Sequence, residues 1–412
     1  MKGKLLSQTI TSVLFSSLIV VSLLVTGLSP AWAQTSGAQT ARDPGGPARP
    51  SDQPNVPLTW RDEYFPQFHI RIKDEDLAQL LVKGNTGKYA MTLTYQGKDY
   101  VGTIKLRLGN TSVCADKRQF RLDLPQKTTF PDGYIADRFE TDHGNGFTLH
   151  EWLAWKMLAQ AANKRPTLKI LRKKANVVAI YFNDKLYHVQ TLVEDVGKDL
   201  LEPQLGTRNI TTFKHGCMGL TGPSTIDKFC QTFSPAQIQA SLDIPSFMYA
   251  TAAMEVIGSY DNYPRFPYNY YWVQENSTGR MWYLPDDLDS TIFPQDTVYA
   301  NPFHIAYSVG DSQRHFTEMV KDRGCLELYY SYVNDLSTLW EPNQVKPQLA
   351  AKYAQVRATL LASGGLPYDQ AYYDYLYNLS LPLWVELRYA YLTRMMKTTS
   401  IAEVSKEVAN QQ

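Results

Sequence analysis

The chain has 412 residues, 44% of them apolar and 20% charged, with a formal net charge of +1. That is enough for one large globular domain or two small ones. A charge so near zero gives no electrostatic basis for a nucleic-acid partner or an anionic surface.

The N-terminus reads as an export signal. Lys2 and Lys4 give a positive start, an apolar stretch runs from about Val13 to Leu28, and "AWA" at Ala31–Ala33 has the small-x-small pattern of a cleavage site. Residues 1–33 are therefore expected to be removed before Gln34. No other run approaches the roughly 20 apolar residues that span a bilayer. The mature chain is expected to lack a membrane span and to be secreted, periplasmic or held in the envelope of a bacterium. Residues 34–57, rich in Gly, Pro, Ser, Ala and Gln, read as a flexible linker.

From about Leu58 to Leu124 the pattern is mainly that of strands. "MTLTYQGKDYVGTIKLRL" has two alternating runs around "QGKD", a hairpin signal, and "RQFRLDL" puts Phe120, Leu122 and Leu124 on one face. A helix follows, with Thr148 and Glu151 as a T-x-x-E capping box and Leu149, Trp152, Leu153, Met157 and Leu158 as its apolar stripe. "ANVVAIYF" and "LYHVQTLVE" make a second hairpin around "NDK". Residues 238–259 turn helical, "YNYYWV" and "RMWYLP" read as a strand pair, and the chain after Gln313 reads as helices broken at "EPNQ" and "SGGLPYD". Residues 403–412 read as a polar tail. Strands first and helices later make an α+β chain.

Cys114, Cys217, Cys230 and Cys325 are the four cysteines. Export permits disulfides. Cys217 and Cys230 can close a short loop, and Cys114 with Cys325 would be a long staple. No CxxC or His-rich spacing suggests zinc. A different signal lies in "YLPDDLDSTIF", where Asp286, Asp287 and Asp289 fall between hydrophobic shoulders. Clustered like charges repel, so carboxylates set among apolar residues are expected to rest on a cation.

Several stretches, in order, resemble a known family. "KLRLGNTS" with "DKRQFRLDL", "FTLHEWLAWKML", "VVAIYFNDKLYHVQTLVEDVGKDLL" and "YDNYPRFPYNYYWVQENSTGRMWYLPDDLD" are similar to the ordered motifs of the bacterial spore-coat CotH kinases, an atypical protein-kinase-like group. The match covers roughly residues 101 to 293. It implies a two-lobed kinase-like fold over residues 58–402, with a β-rich N-lobe over about 58–200 and a mainly helical C-lobe over about 201–402. It implies ATP and Mg²⁺ (or Mn²⁺) as cofactors and Ser or Thr of a protein as acceptor. By resemblance, Lys117 holds the nucleotide phosphates, with Arg118 as its rival, and Glu151 holds that lysine. Glu194 ends a strand beside the nucleotide and the interlobe connection, Asp261 orients the acceptor hydroxyl, and Asn269, Asp287 and Asp289 hold metal. Phosphoryl transfer needs this inventory of positioning and charge neutralisation.

The chain departs from the family in places. Its Pro-Trp-Asp-x-Asp motif reads "PDDLD" here, with Asp286 in the tryptophan's place, the following glycine is missing from "STIFP", "FND" stands for "VNG", and a glycine near His188 is missing. Two other functions therefore stay open on the same fold: a non-catalytic surface or adhesion protein, and a nucleotidyl transferase using the same ATP site.

Overall fold

Hairpins with short turns organise the first half. In this computed structural model the described residues are 56–107, 118–142, 148–215, 217, 224–231, 234–259, 261–265, 268–292, 297–304, 314–363 and 369–410. Strands β2 (Lys88–Tyr95) and β3 (Lys98–Leu106) turn at Gln96 and Gly97, both left-handed at φ 50° and 73°, the geometry that suits the twist of a two-residue hairpin. Strands β6 (Ala175–Phe182) and β7 (Lys185–Glu194) turn the same way at Asn183 and Asp184. With β1 (Gln67–Arg71), β4 (Phe120–Thr129) and β5 (Ile135–Asp142) they close a seven-stranded barrel in the order β1-β2-β3-β4-β5-β7-β6, sealed by parallel pairing of β1 with β6. Phe68, Ile70, Leu93, Ile104, Phe120, Leu122, Phe139 and Ile180 fill its interior. The residues between Leu58 and Leu124 are thus not all strand, since a short helix, α1 (Asp74–Leu80), follows β1.

Helix α2 (Thr148–Lys164) covers the outside of β6 and β7. It is buried on nearly every side, through Leu149, Trp152, Leu153, Trp155, Met157 and Leu158 among others, as a helix apolar all round must be. Thr148 Oγ1 donates to the Val189 carbonyl (3.3 Å), and Glu151 Oε1 accepts from Trp155 Nε1 (3.2 Å). These bonds pin the helix to β7 and orient its first turn.

Beyond the barrel come α3 (Lys198–Leu205), β8 (Ile210–Lys214), α4 (Ser224–Cys230), α5 (Pro235–Ser241), α6 (Ile244–Ile257), β9 (Tyr270–Glu275) and β10 (Met281–Pro285). The stretch expected to be helical over 238–259 is divided by Leu242 and Asp243, the latter capping α6 through the Ser246 N–H (3.0 Å). Strands β8, β9 and β10 form a second, three-stranded sheet in the order β10-β9-β8. The C-terminal part is helical: α7 (Arg314–Lys321), α8 (Arg323–Leu336), α9 (Pro342–Ser363), α10 (Gln370–Tyr375), a π-helical turn (Leu376–Ser380), α11 (Leu381–Thr398) and α12 (Ile401–Asn410). The chain is thus a mixed α/β protein, β-rich first and helical later. Among the described residues no helix is long and apolar enough to cross a membrane.

The end of the chain corrects one expectation. Residues 403–410 continue α12 rather than forming a polar tail, because Val404 and Val408 are buried one turn apart and Ser400 and Glu403 make a capping box at its start. The cysteines divide as well. Cys217 and Cys230 are disulfide-bonded with Cα atoms 5.3 Å apart. Cys325 is a buried free thiol, so it does not staple to Cys114, which lies outside the described residues. Closing a loop of this size constrains the unfolded chain by about 3 kcal/mol. Replacing both Cys217 and Cys230 by Ala should therefore lower the unfolding free energy by about 2–4 kcal/mol in urea titrations, and an unchanged midpoint would exclude a stabilising role.

His315, on α7, is fully buried, stacks on Phe229 at 4.1 Å, and bonds the Phe229 carbonyl through Nε2 (2.8 Å). Burial pushes its pKa down from 6.5 to about 4, with the carbonyl opposing. A depressed histidine contributes stability that is complete above pH 6.5 and is lost as pH falls through 4, here on the order of 3 kcal/mol. Stability measured from pH 7 to 4 should show this loss, and His315→Leu should flatten that part of the profile.

Candidate active site

Three distant parts of the chain meet between the barrel and the second sheet. The barrel supplies Arg107, just after β3, with Glu140 and Asp142 on β5. Helix α2 supplies Glu151, and the turn after β10 supplies Asp286, Asp287 and Asp289. That turn is built tightly. The Asp286 N–H donates to the Asn269 carbonyl (2.7 Å), extending the β9–β10 ladder by one rung, and Asn262 Nδ2 holds the Asp286 carbonyl (2.7 Å). Asp287 then takes a left-handed backbone at φ 50°, a conformation that Asp tolerates better than most residues, and Leu288 and Ile292 anchor the turn in the core. The apolar shoulders seen in the sequence are therefore the strand and anchors that present the acids.

The three aspartates of the turn separate into two roles. Asp286 is buried between two lysines: Lys173 bonds its Oδ1 and Lys214 its Oδ2 (3.0 Å). Burial alone would raise its proton affinity, but Lys173 and Lys214 hold the carboxyl well below the usual range. Asp287 and Asp289 instead turn toward Asp142, and one oxygen from each of the three lies within 4.8 Å of the others. Arg107 borders this group, bonded to Asp142, 3.2 Å from Asp287 and 3.7 Å from Glu140. Burial and the neighbouring Asp289 push the Asp287 carboxyl well above its usual range, against Arg107.

Asp261 lies next to the group. Burial and the charge of Asp289 raise its pKa to about 6, while hydrogen bonds from Ser290 and Asn269 oppose the rise. Asn269 Nδ2 reaches Asp261 Oδ2 at 3.0 Å, and Ser290 Oγ donates to Asp289 Oδ1 at 3.0 Å. The carboxylates thus repel one another more than their neighbours compensate. Asp287 Oδ1 is buried with no hydrogen-bond partner, the state expected of an oxygen left for a cation. The donor set is all oxygen, which fits a hard divalent ion such as Mg²⁺ or Mn²⁺ better than zinc. Asp142, Asp287 and Asp289 are the residues that would hold it.

The residues expected from the sequence fall as follows. Asp287, Asp289 and Asp261 come together, with Asn269 on Asp261. Glu151 is buried at the edge of the group, and its charge acts on both Asp287 and Arg107. Lys117 lies outside the described residues. The Arg118 guanidinium is turned to the Leu81 carbonyl (3.3 Å), on the α1 side of the barrel. Both Glu194 oxygens hold protein groups: Tyr134 Oη at 2.6 Å, and the Lys174 N–H and Nζ at 2.8 and 2.9 Å. Among the described residues the cations at the acids are Arg107, Lys173 and Lys214, and the third metal-facing acid is Asp142; sequence reasoning passed over all four. Charged residues at alternate positions of β5, Arg138, Glu140 and Asp142, were the available signal.

Comparison with known proteins adds little. No family model matches the chain, and no curated protein matches it. Among solved structures it is similar to a Helicobacter pylori proinflammatory kinase, CtkA, at 9% identity and a TM-score of 0.33, over 84% of this chain and 99% of that one. It is also similar to the Golgi casein kinase, at 10% identity and a TM-score of 0.28, over 83% of this chain and 76% of that one. Both are kinases, but likeness this distant establishes no shared reaction, and the resemblance to the CotH kinases rests on the sequence motifs.

Proposed function

We propose that the chain is an exported, metal-dependent protein kinase of the CotH type, transferring the ATP γ-phosphoryl group to Ser or Thr of a secreted or envelope protein. The observation that carries this is the meeting of Asp142, Asp287 and Asp289 within 4.8 Å, with Asp261 beside them, Arg107 on Asp142 and Asp287, and Lys173 and Lys214 on the neighbouring Asp286. Bound there, a divalent ion would neutralise phosphate charge. Arg107 keeps Asp142 and Asp287 aimed at one point. Asp261, held by Asn269 beside the acids, is placed to accept the proton of an attacking hydroxyl. Paired with Asp286, Lys173 ties the barrel to the second sheet, fixing the distance between the two walls of the site.

The test is labelling with ATP carrying the label on the γ- or the α-phosphate, in Mg²⁺ and then in Mn²⁺. Retention of the γ label by the chain or by added secreted protein supports phosphoryl transfer. Retention of the α label would replace it with nucleotidyl transfer, and no nucleotide binding at all would leave an adhesion or surface role.

A further inference from the structure

The acids stand at one end of a run of polar groups between two strands. On β5, Arg138, Glu140 and Asp142 alternate and so share a face. Facing them, β8 presents Thr212 and Lys214, again two residues apart. Arg138 and Thr212 line a cavity of about 530 Å³, together with Val196, Gly197 and Lys198. Asp142 belongs to the metal-facing group at the other end. Lys214 lies between the two, 3.0 Å from Asp286, with its charge also acting on Glu140.

The two lysines on Asp286 are not equivalent. Lys173 is buried, its side chain 2% exposed, and is held by both Asp286 and Glu140 (3.7 Å). The Lys214 side chain is 47% exposed, its ammonium lies 5.6 Å from the Tyr271 ring centre, and Asp286 Oδ2 is its salt-bridge partner. If Lys214 moved, Asp286 would keep its bond to Lys173. A lysine is a compact point charge on a flexible stem, well suited to following phosphate oxygens.

We infer that Lys214 is the positioning residue for the nucleotide polyphosphate, exchanging Asp286 for phosphate oxygens when the nucleotide enters. This rests on the ATP-dependent function proposed above. It also gives a purpose to the aspartate that stands in the tryptophan position: Asp286 holds Lys214 at the site before the nucleotide arrives.

The experiment is calorimetric titration of the full mature chain with ATP, ADP and AMP in Mg²⁺, comparing wild type with Lys214→Met and Lys214→Arg. Losing a charged hydrogen bond should weaken ATP by at least about tenfold in Lys214→Met, weaken ADP too, and leave AMP within about twofold. Lys214→Arg should restore most of the ATP affinity. Thermal melting of the unliganded variants, expected to match wild type because Lys173 still holds Asp286, separates a lost contact from a lost fold. Equal ATP affinity in wild type and Lys214→Met overturns the role of Lys214 while leaving the nucleotide site intact, as does an equal loss for ATP and AMP. A wild type that binds none of the three overturns both the ATP-dependent function and this inference.

Discussion

Asp142→Asn and Asp289→Asn should each weaken Mg²⁺-dependent nucleotide binding by at least about 10–100-fold, a loss that follows even when only a ligand's supporting partner is removed. Transfer should fall with binding. Without metal the sign reverses for Asp289. Its charge raises the proton affinity of both Asp261 and Asp287, so Asp289→Asn relieves repulsion and the bare protein should melt no lower than wild type. Asp142→Asn leaves Arg107 next to Asp287 and Glu140, so its fold should also hold. Asp261→Asn should behave differently, losing about 10²–10⁴ in rate while keeping nucleotide binding. Thermal shift with ATP and Mg²⁺ reads the binding arm, where ligand at a hundred times its Kd adds about 2.7 kcal/mol. An unshifted wild type, indistinguishable from all three variants, would falsify the metal site.

The largest effect on stability is expected at Arg388. This arginine on α11 is fully buried and donates to four backbone carbonyls: Val256 (3.2 Å), Val298 (3.0 Å), Ala300 (2.7 Å) and Glu255 (2.6 Å). It satisfies the C-terminal end of α6 and the 298–300 segment at once, just before the loop that carries Asp261. Arg388→Met fills a similar volume but strands the Val298 and Ala300 carbonyls, while Val256 keeps Trp340 Nε1 (3.0 Å) and Glu255 keeps the Gly258 N–H (3.2 Å), at about 1–3 kcal/mol for each unsatisfied group. The expected loss is on the order of 4 kcal/mol, a large share of the 5–15 kcal/mol typical of a domain. Lysine should rescue only part of it, since one ammonium lacks the planar fork that reaches four acceptors. Urea unfolding of both variants decides the matter; a loss under about 1 kcal/mol would mean that water replaces the guanidinium.

What was legible in the sequence was local. The hairpins β2–β3, β6–β7 and β9–β10 each join two apolar-rich runs through a short turn, so pattern and partner lie within one window. Asp287 and Asp289 announced themselves by charge among apolar neighbours. Asp142 did not. Strand β5 carries Asp137, Arg138, Glu140 and Asp142 in eight residues, and such a charged stretch reads as loop; it is a strand because Phe139 and Thr141 are buried on one face and the charges of the other face pair across the site. Arg107, Lys173 and Lys214 belong to three separate segments, and only the folded chain brings them to the same carboxylates. Helix α12 was legible in retrospect, from Ser400 and Glu403 followed by Ile401, Val404 and Val408 at helical spacing.

The parallel seam of the barrel bears on how the chain acquires its shape. Every other pairing in the barrel joins strands that are neighbours in sequence or nearly so, but Gln67 to Ile70 on β1 meet Ala179 to Phe182 on β6. A contact spanning on the order of a hundred residues must overcome the entropy of closing that loop before it returns any stabilisation, and such contacts slow folding. During synthesis, β1 through β5 can only form an open sheet with bare edges until the β6–β7 hairpin has emerged. Its Val, Ile and aromatic side chains would meanwhile be available to other chains. The last strands to join the barrel are thus also those that carry α2 and lead into the connection toward β8, so maturation of the site waits on ring closure, and its rate should be set by the seam rather than by the helices that follow.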